Sequence, residues 1–384
     1  MKKLINKRTR KKVKYILFKI LNVIDKKYIV KFENDQPQIK ELEKYQINFD
    51  KKYHKYLSKQ KLIKSYETQK KISQNILFYN DVIVDTWTGV FLNSSNFKIK
   101  ESSLKYPSLV PYTFLSRINN ISDEFDDKGN YFFLSSLNAA YYHRWFDGLV
   151  YLYYLSLLNE KYTLIVPDKC PASIKQLILC FNDEHKINYV FDRFINLPRT
   201  IKFNHISWAK HSPVITKKIS GYFKSKVLSE QTDINIYEKI FIGRKKTTTR
   251  KILNNNEVIN LFKEKGFKVL YLEEYSIREQ AYLFYNAKVI AGLHGAGFTN
   301  LIFCKEGTKV IELQNLVNVT TYFTISIQLG LDYNCIFPNE YKYENIKDPY
   351  SDSTEFFKQK LYNTSFDIQH LKNLLNGKQK IICS

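Results

Sequence analysis

Ala291-Gly-Leu-His294-Gly-Ala-Gly297-Phe-Thr-Asn300 joins two apolar runs, Lys288 to Gly292 before it and Phe298 to Phe303 after it. The first run reads as a short buried strand and the second as the opening turns of a helix. Between them Gly292, Gly295 and Gly297 are predicted to permit positive φ and to let backbone N–H groups approach an anion at the positive end of that helix. His294 adds one donor at the mouth of the turn. Related glycine motifs fit less well. A phosphate-cradling loop would need a lysine where this chain has Phe298. A dinucleotide fingerprint would need a third glycine where Asn300 stands, in the first βαβ unit of its domain. An esterase oxyanion loop would need a Gly-x-Ser-x-Gly elbow, which the chain lacks. The plain alternative is a tight strand-to-helix turn with no ligand.

The flanking sequence alternates short β-rich runs with helical patterns from Tyr237 to Leu313, which predicts an α/β domain with a parallel sheet. Lys239 to Ile242 is a strand ending at Gly243 and Arg244. Asn254 is an expected N-cap, followed by Val258, Ile259, Leu261 and Phe262 as an apolar stripe that stops at Gly266. Phe267 to Tyr271 is a second strand, Ser276 and Glu279 form a capping box, and Lys309 to Leu313 is the last strand. Ligands of such sheets sit beyond the carboxyl ends of the strands. The residues there are Arg244, Arg250, Glu274, His294 and Glu312, with Gly295, Ala296, Gly297, Thr299 and Asn300 in the turn itself. Cations beside a helix N-terminus suit a diphosphate, and a carboxylate at a strand end suits ribose hydroxyls. Read blandly, Arg244 to Arg250 is a solvated basic loop.

With these residues the chain resembles glycosyltransferase family 61, most strongly through GLHGAGFTNLIF (292–303), GTKVIEL (307–313), the Ile242-Gly-Arg244 strand end and Glu274-Tyr-Ser276. A shorter match runs from Tyr141 through His143 to Asp147. There the chain carries Ala140 where the family has Asn and Arg144 where it has Trp, a departure that bears on acceptor or sugar specificity. The resemblance implies a GT-B architecture: two Rossmann-like domains with parallel sheets facing across a cleft, the C-terminal one binding a nucleotide-sugar, with UDP as the expected nucleotide. It also implies an inverting, metal-independent reaction of the kind used in capsular and other surface polysaccharides, with no cofactor. No Asp-x-Asp motif follows a buried strand.

Inverting transfer is one displacement at the anomeric carbon, so it needs a base for the acceptor hydroxyl and stabilisation of the departing diphosphate. On a helix expected through residues 138–158, His143 and Asp147 are four apart and share a face. Either His143 with Asp147 orienting it, or Asp147 alone, can serve as the base. A structural pair is the competing reading. The leaving group falls to the turn amides, Arg244, Arg250 and His294, each such donor being worth about 3–4 kcal/mol.

The 384 residues, 44% of them hydrophobic, suffice for two domains. The expected divisions are a basic helical region to 75, an acceptor domain over 80–225, a donor domain over 235–330, and C-terminal helices packing back over 331–384. The net charge of +23 raises nucleic-acid binding as a competing function. A Rossmann-type scaffold without catalysis is a third. Much of the charge is local: from Lys2 to Lys27 the many lysines and arginines are opposed only by Asp25. In the same stretch Val13, Ile16, Leu17, Ile20, Leu21 and Ile24 recur at helical spacing. That pattern predicts a helix lying in an anionic membrane surface, not a span and not a cleavable signal, with a helix packed on the protein's own core as the competing reading. The five cysteines show no Cys-x-x-Cys pair, so neither a zinc site nor a disulfide framework is expected. A cytoplasmic, peripheral seat at the inner membrane face, with a glycan or lipid-linked glycan acceptor and no nucleic acid, completes the expectation.

Overall fold

A computed structural model describes residues 38–46, 71–87, 89–92, 121–137, 139–158, 160–204, 213–245, 251–315, 320–343 and 362–377. The predicted amphipathic helix over the first 27 residues, Arg250 and Cys383 lie outside them. Apart from Gln46 and Lys71, which group with the second unit, the described residues up to 204 form one compact unit and those from 213 the other.

The first unit contains β1 (Gln38–Gln46), β2 (Lys71–Asp85), β3 (Val90–Leu92), β4 (Tyr131–Phe133), β5 (Thr163–Pro167), β6 (Lys186–Val190) and β7 (Phe194–Phe203). Their order in the sheet is β1-β2-β7-β4-β5-β6, with β3 beside β2. The strands from β4 to β7 are parallel, but β2 runs antiparallel to both β7 and β3. This sheet is therefore mixed, where an all-parallel one was expected. For β3 the reason is local: Gly89, at φ +69, lets the chain reverse within a tight turn between β2 and β3, and a hairpin can only be antiparallel. After β4 the chain enters α1 (Tyr141–Arg144), a π-helical turn (Trp145–Leu149) and α2 (Tyr151–Ser156), and α3 (Ala172–Leu179) links β5 to β6. Together α1, the π turn and α2 are the predicted helix, starting later than expected and widened in the middle.

The second unit begins with α4 (Pro213–Val227), followed by β8 (Lys239–Ile242), α5 (Asn255–Glu264), β9 (Lys268–Leu270), a 3₁₀ turn (Leu272–Glu274) and α6 (Ile277–Asn286). Then come β10 (Val289–Leu293), a 3₁₀ helix (Ala296–Phe303), β11 (Lys309–Leu313), α7 (Thr321–Leu329) and β12 (Asp332–Ile336). The chain finishes with the antiparallel pair β13 (Glu340–Tyr343) and β14 (Tyr362–Ser365), and with α8 (Ile368–Leu375). Every element predicted between Lys239 and Leu313 is present. The five strands β9-β8-β10-β11-β12 are all parallel.

Counted from β8, that order is 2-1-3-4-5, a doubly wound arrangement in which the chain changes direction across the sheet between β8 and β10. Phe241, Ala291, Leu293, Ile311, Leu313 and Ile336 fill one face with Val258, Leu261 and Phe262 of α5 and Leu371 and Leu374 of α8. The alternate residues Ile240, Ile290 and Val310 are buried on the other face.

Three expected divisions change. The region to 75, expected to be helical, holds the strand β1 and the start of β2. Helix α4, which the division at 225 assigned to the first unit, belongs to the second. Thr216 Oγ1 donates to Gln328 Oε1 at 2.9 Å, Ser220 Oγ to the Ile302 carbonyl at 2.5 Å, and Lys224 Nζ to the Cys304 carbonyl at 2.6 Å. Burial holds the Lys224 ammonium below the usual lysine range. The sheet also takes β12 from beyond residue 330, so the tail adds a strand, a two-stranded ribbon and one helix rather than helices alone.

Asn254 is the residue before α5 but makes no side-chain cap. Its Nδ2 donates to the Phe366 carbonyl at 2.8 Å and its Oδ1 accepts from the Phe366 N–H at 3.2 Å, so it ties down the chain entering α8 instead. The capping box of α6 forms as predicted: Ser276 Oγ accepts from the Glu279 N–H at 3.2 Å and Glu279 Oε2 from the Ser276 N–H at 2.6 Å. Replacing Ser276 by Ala removes one half of this exchange and should destabilise the protein by about 1 kcal/mol. Urea denaturation with an unchanged slope checks it.

Candidate functional site

The crevice between β8 and β10 is where an open parallel sheet of this topology offers its ligand site. Gly292 on β10 faces Ile242 on β8, and a Cβ at Gly292 would lie 3.0 Å from Ile242 Cβ and 3.1 Å from its carbonyl oxygen. A Cβ at Gly297 would stand 2.9 Å from Leu272 Cδ1 and 3.1 Å from Ile242 Cγ2. At Gly295 a Cβ would collide with the Arg244 guanidinium. None of the three glycines lies in the left-handed region, and Gly295 is fully extended at φ 175. The sequence-based reason for these glycines is thus corrected: they serve close approach, not the left-handed region.

Arg244 leaves the end of β8 and reaches across Gly295, its Nη2 donating to the His294 carbonyl at 2.5 Å. One strand end therefore supplies a guanidinium to the turn that ends the neighbouring strand. Ala296 is exposed at the tip of the turn and Gly297 is half-buried, whereas Thr299 and Asn300 are fully buried. Asn300 Nδ2 donates to Gln280 Oε1 at 2.8 Å, and Gln280 Nε2 donates to the carbonyls of Leu272 and Tyr275 at 2.8 and 3.0 Å. This amide pair bolts the 3₁₀ helix to α6. Thr299 and Asn300 thus face the protein interior, while Gly295 to Gly297 edge the crevice.

His294 is buried, and its Nδ1 bonds to Glu312 Oε1. The other carboxylate oxygen of Glu312 accepts from the Tyr333 hydroxyl. Across the imidazole, Tyr322 of α7 lies at a ring separation of 5.0 Å. A carboxylate bonded to Nδ1 keeps the proton on that nitrogen, so whatever the ring offers a ligand comes from Nε2. Glu312, expected to meet ribose hydroxyls, has both oxygens engaged by protein groups and bears on His294 instead. Glu274 is exposed and pairs with Lys245 at 2.7 Å, a bond that raises the proton affinity of the lysine. Arg250 lies outside the described residues. Sequence reading missed Tyr322, Tyr333 and Gln280: all three belong to elements that meet the turn only through the fold.

In the first unit the chain runs β4, β5, β6 to one side and then places β7 on the other side of β4, so its direction changes between β4 and β7. The helix after β4 carries His143 and Asp147. His143 Nδ1 lies 2.6 Å from Asp147 Oδ2, with the histidine 37% exposed and the aspartate 16%. Asp147 sits in the π turn, where the Val150 N–H bonds back five residues to the Trp145 carbonyl at 2.8 Å. Gly148 allows the packing there, since a Cβ would stand 2.6 Å from the Ser135 carbonyl oxygen. Extra turns of this kind are often found at functional sites. Burial, and then the Asp147 carboxylate, hold the Tyr151 phenol far above its usual range, so it stays protonated beside the pair. Ala140 occupies the N-cap of α1 with no side-chain cap, the position where an Asn would have supplied one. Among the described residues no group of three His, Cys, Asp or Glu side chains could hold a metal ion.

Over 113 residues the chain is 30% identical to the EGF domain-specific O-linked N-acetylglucosamine transferase of Pan troglodytes, covering 27% of this chain and 21% of that protein. The proteins of the same name from Canis lupus familiaris and Gallus gallus are 29% identical over the same length and coverage. The chain thus matches about a fifth of the length of these relatives. The family model for glycosyltransferase 61 matches residues 110–311, more than half of the chain, from ahead of β4 through the pair on α1 and the π turn to β11. The chain belongs to glycosyltransferase family 61.

Proposed function

We propose that this chain is an inverting, metal-independent glycosyltransferase of GT-B architecture. It moves a sugar from a UDP-linked donor to a glycan or glycoconjugate acceptor in the assembly of a surface or capsular polysaccharide. The observation that carries this reading is the convergence of Arg244 and the His294 turn at the β8/β10 crevice, inside the segment that matches the family. The names of the curated relatives make N-acetylglucosamine the first sugar to try.

In this reading the diphosphate lies beside the Arg244 guanidinium, the fixed cation, which the missing side chain of Gly295 lets settle across the turn. His294 presents Nε2 to the same group, and Glu312 and Tyr333 act as positioning residues that set its ring. No cofactor is required, because these preorganised donors take the charge that develops on the leaving diphosphate. A thermal-shift screen of nucleotides and nucleotide-sugars tests the reading. A UDP-sugar at about a hundred times its Kd should stabilise the protein by about 2.7 kcal/mol. Stabilisation by no nucleotide, together with tight salt-sensitive binding of DNA or RNA, would replace the proposal with nucleic-acid binding. His294→Ala should weaken the nucleoside diphosphate about tenfold by isothermal titration while the fold survives, and unchanged affinity removes His294 from the site.

On the acceptor side, Asp147 is the more buried member of the pair and is bonded to Nδ1, which favours His143 Nε2 as the base and Asp147 as its orienting carboxylate. His143→Ala should then lower turnover by two orders of magnitude or more, roughly the range of a positioned base, with Asp147→Asn less severe and donor binding intact in both. Loss in Asp147→Asn with retained turnover in His143→Ala assigns the base to Asp147, and binding without turnover in the parent chain leaves an inactive scaffold.

The seat at the inner membrane face rests on the lysine-rich, apolar-striped segment from Lys2 to Lys27. Sedimentation with anionic liposomes should be strong for the full chain. It should weaken as salt shortens the screening length from about 8 Å at physiological strength and disappear when residues 1 to 27 are deleted. Equal binding by both chains rejects the anchor.

A further inference from the structure

Two large aromatic side chains stand in solvent on adjoining loops of the first unit: Trp87 is 51% exposed and Phe191 74%. Their loops are joined by the Thr86 N–H donating to the Arg193 carbonyl and by Thr86 Oγ1 donating to the Asp192 carbonyl, both at 2.8 Å. Two large aromatics exposed on loops tied together in this way offer apolar surface to a ligand.

The holding group is Asp85, whose carboxylate is fully buried. Its Oδ1 accepts from the Trp87 backbone N–H at 3.0 Å and from Arg193 Nε at 3.4 Å, and its Oδ2 accepts from Arg193 Nη2 at 3.3 Å. One buried charge therefore fixes both the backbone at Trp87 and the Arg193 guanidinium. The Arg193 guanidinium lies 4.7 Å from the Trp87 ring centre, and Lys169 Nζ, from the loop after β5, lies 4.1 Å from it. No carboxylate pairs with Lys169 among the described residues, while its neighbour Asp168 is taken by Lys175 at 2.5 Å. The result is an aromatic surface bearing two cations, one of them open to an external anion.

This surface is built onto the elements that hold the His143–Asp147 pair. A Cβ at Gly89, which closes the Trp87 turn, would stand 3.1 Å from Ser135 Cβ, and the Ser135 carbonyl is what Gly148 of the π turn packs against. The loop carrying Lys169 also brings Cys170 within electrostatic reach of Arg144, the residue after His143. We infer that Trp87, Phe191, Lys169 and Arg193 form a docking platform for an acidic glycan, in which a carboxylate or sulfate meets Lys169 and sugar rings lie against Phe191 and the part of Trp87 that the two cations leave exposed. That the glycan is the acceptor rests on the transfer reading above; that it binds here does not.

Isothermal titration of the full chain tests it with four probes: a galacturonic acid hexamer, a heparin-derived hexasaccharide, maltohexaose and an oligothymidylate. At least one acidic hexasaccharide should bind, with maltohexaose and the oligothymidylate at least about tenfold weaker. Trp87→Ala, an exposed truncation, and Lys169→Glu, at an exposed lysine, should each weaken the acidic glycan about tenfold or more. Neither should alter stabilisation by a nucleotide. Binding of neither acidic probe, equal binding of the neutral one or of the oligothymidylate, or unchanged affinity in both variants would overturn the platform. Nucleotide stabilisation surviving such a failure leaves the transfer reading standing. Acidic-glycan binding with no response to any nucleotide has the opposite meaning: the platform holds and the transfer reading falls.

Discussion

Strands β8 and β10 run side by side with Gly292 packed on Ile242, and what the second unit can offer a ligand follows from that close approach. Any side chain at Gly292 would push the two strand ends apart, and any at Gly295 would displace Arg244. Because both positions carry only hydrogen, a guanidinium from one strand end lies across the backbone of the next. Gly297 extends the same constraint by letting the 3₁₀ helix settle on Ile242 and Leu272. The crevice is a consequence of missing atoms as much as of present ones.

Around it two sets of buried polar groups are mutually engaged, which helps hold the geometry of the crevice. The His294–Glu312–Tyr333 chain and the Asn300–Gln280 pair connect β10, β11, β12, the 3₁₀ helix and α6. A buried carboxylate is costly unless its oxygens are satisfied, and here both are. Removing one member leaves the others unsatisfied in the interior, so these residues act as a set. The first unit uses the same device at Asp85, a buried carboxylate that arranges groups displayed at the surface.

The two units reach similar ends by different backbone means. In the second, the sheet is wholly parallel and its change of direction alone opens the site. In the first, the sheet is mixed, and the helix after β4 must widen into a π turn to seat Gly148 against Ser135 and present Asp147 to His143. The i, i+4 spacing brought the pair together on one face, but the widened turn sets how the carboxylate meets the ring.

What the sequence determined by itself was local. The alternation of apolar runs from Lys239 to Leu313, the Ser276–Glu279 box and the stop at Gly266 specify each element of that segment, because their causes lie within a few residues. The family motif marked the His294 turn, and helical spacing marked His143 with Asp147. Tertiary structure decided the rest. That Glu312 turns to His294 depends on parallel pairing of β10 with β11. That Tyr333 completes the set depends on β12 joining a sheet expected to have ended. Asn254 reads as a cap yet holds Phe366, more than a hundred residues away, and α4 crosses an expected boundary because Ser220 and Lys224 find carbonyls at the end of the 3₁₀ helix. The glycines were legible as glycines, but their purpose was not. Left-handed turns and close approaches use the same residue, and only the positions of Ile242, Leu272 and Arg244 in space distinguish the two.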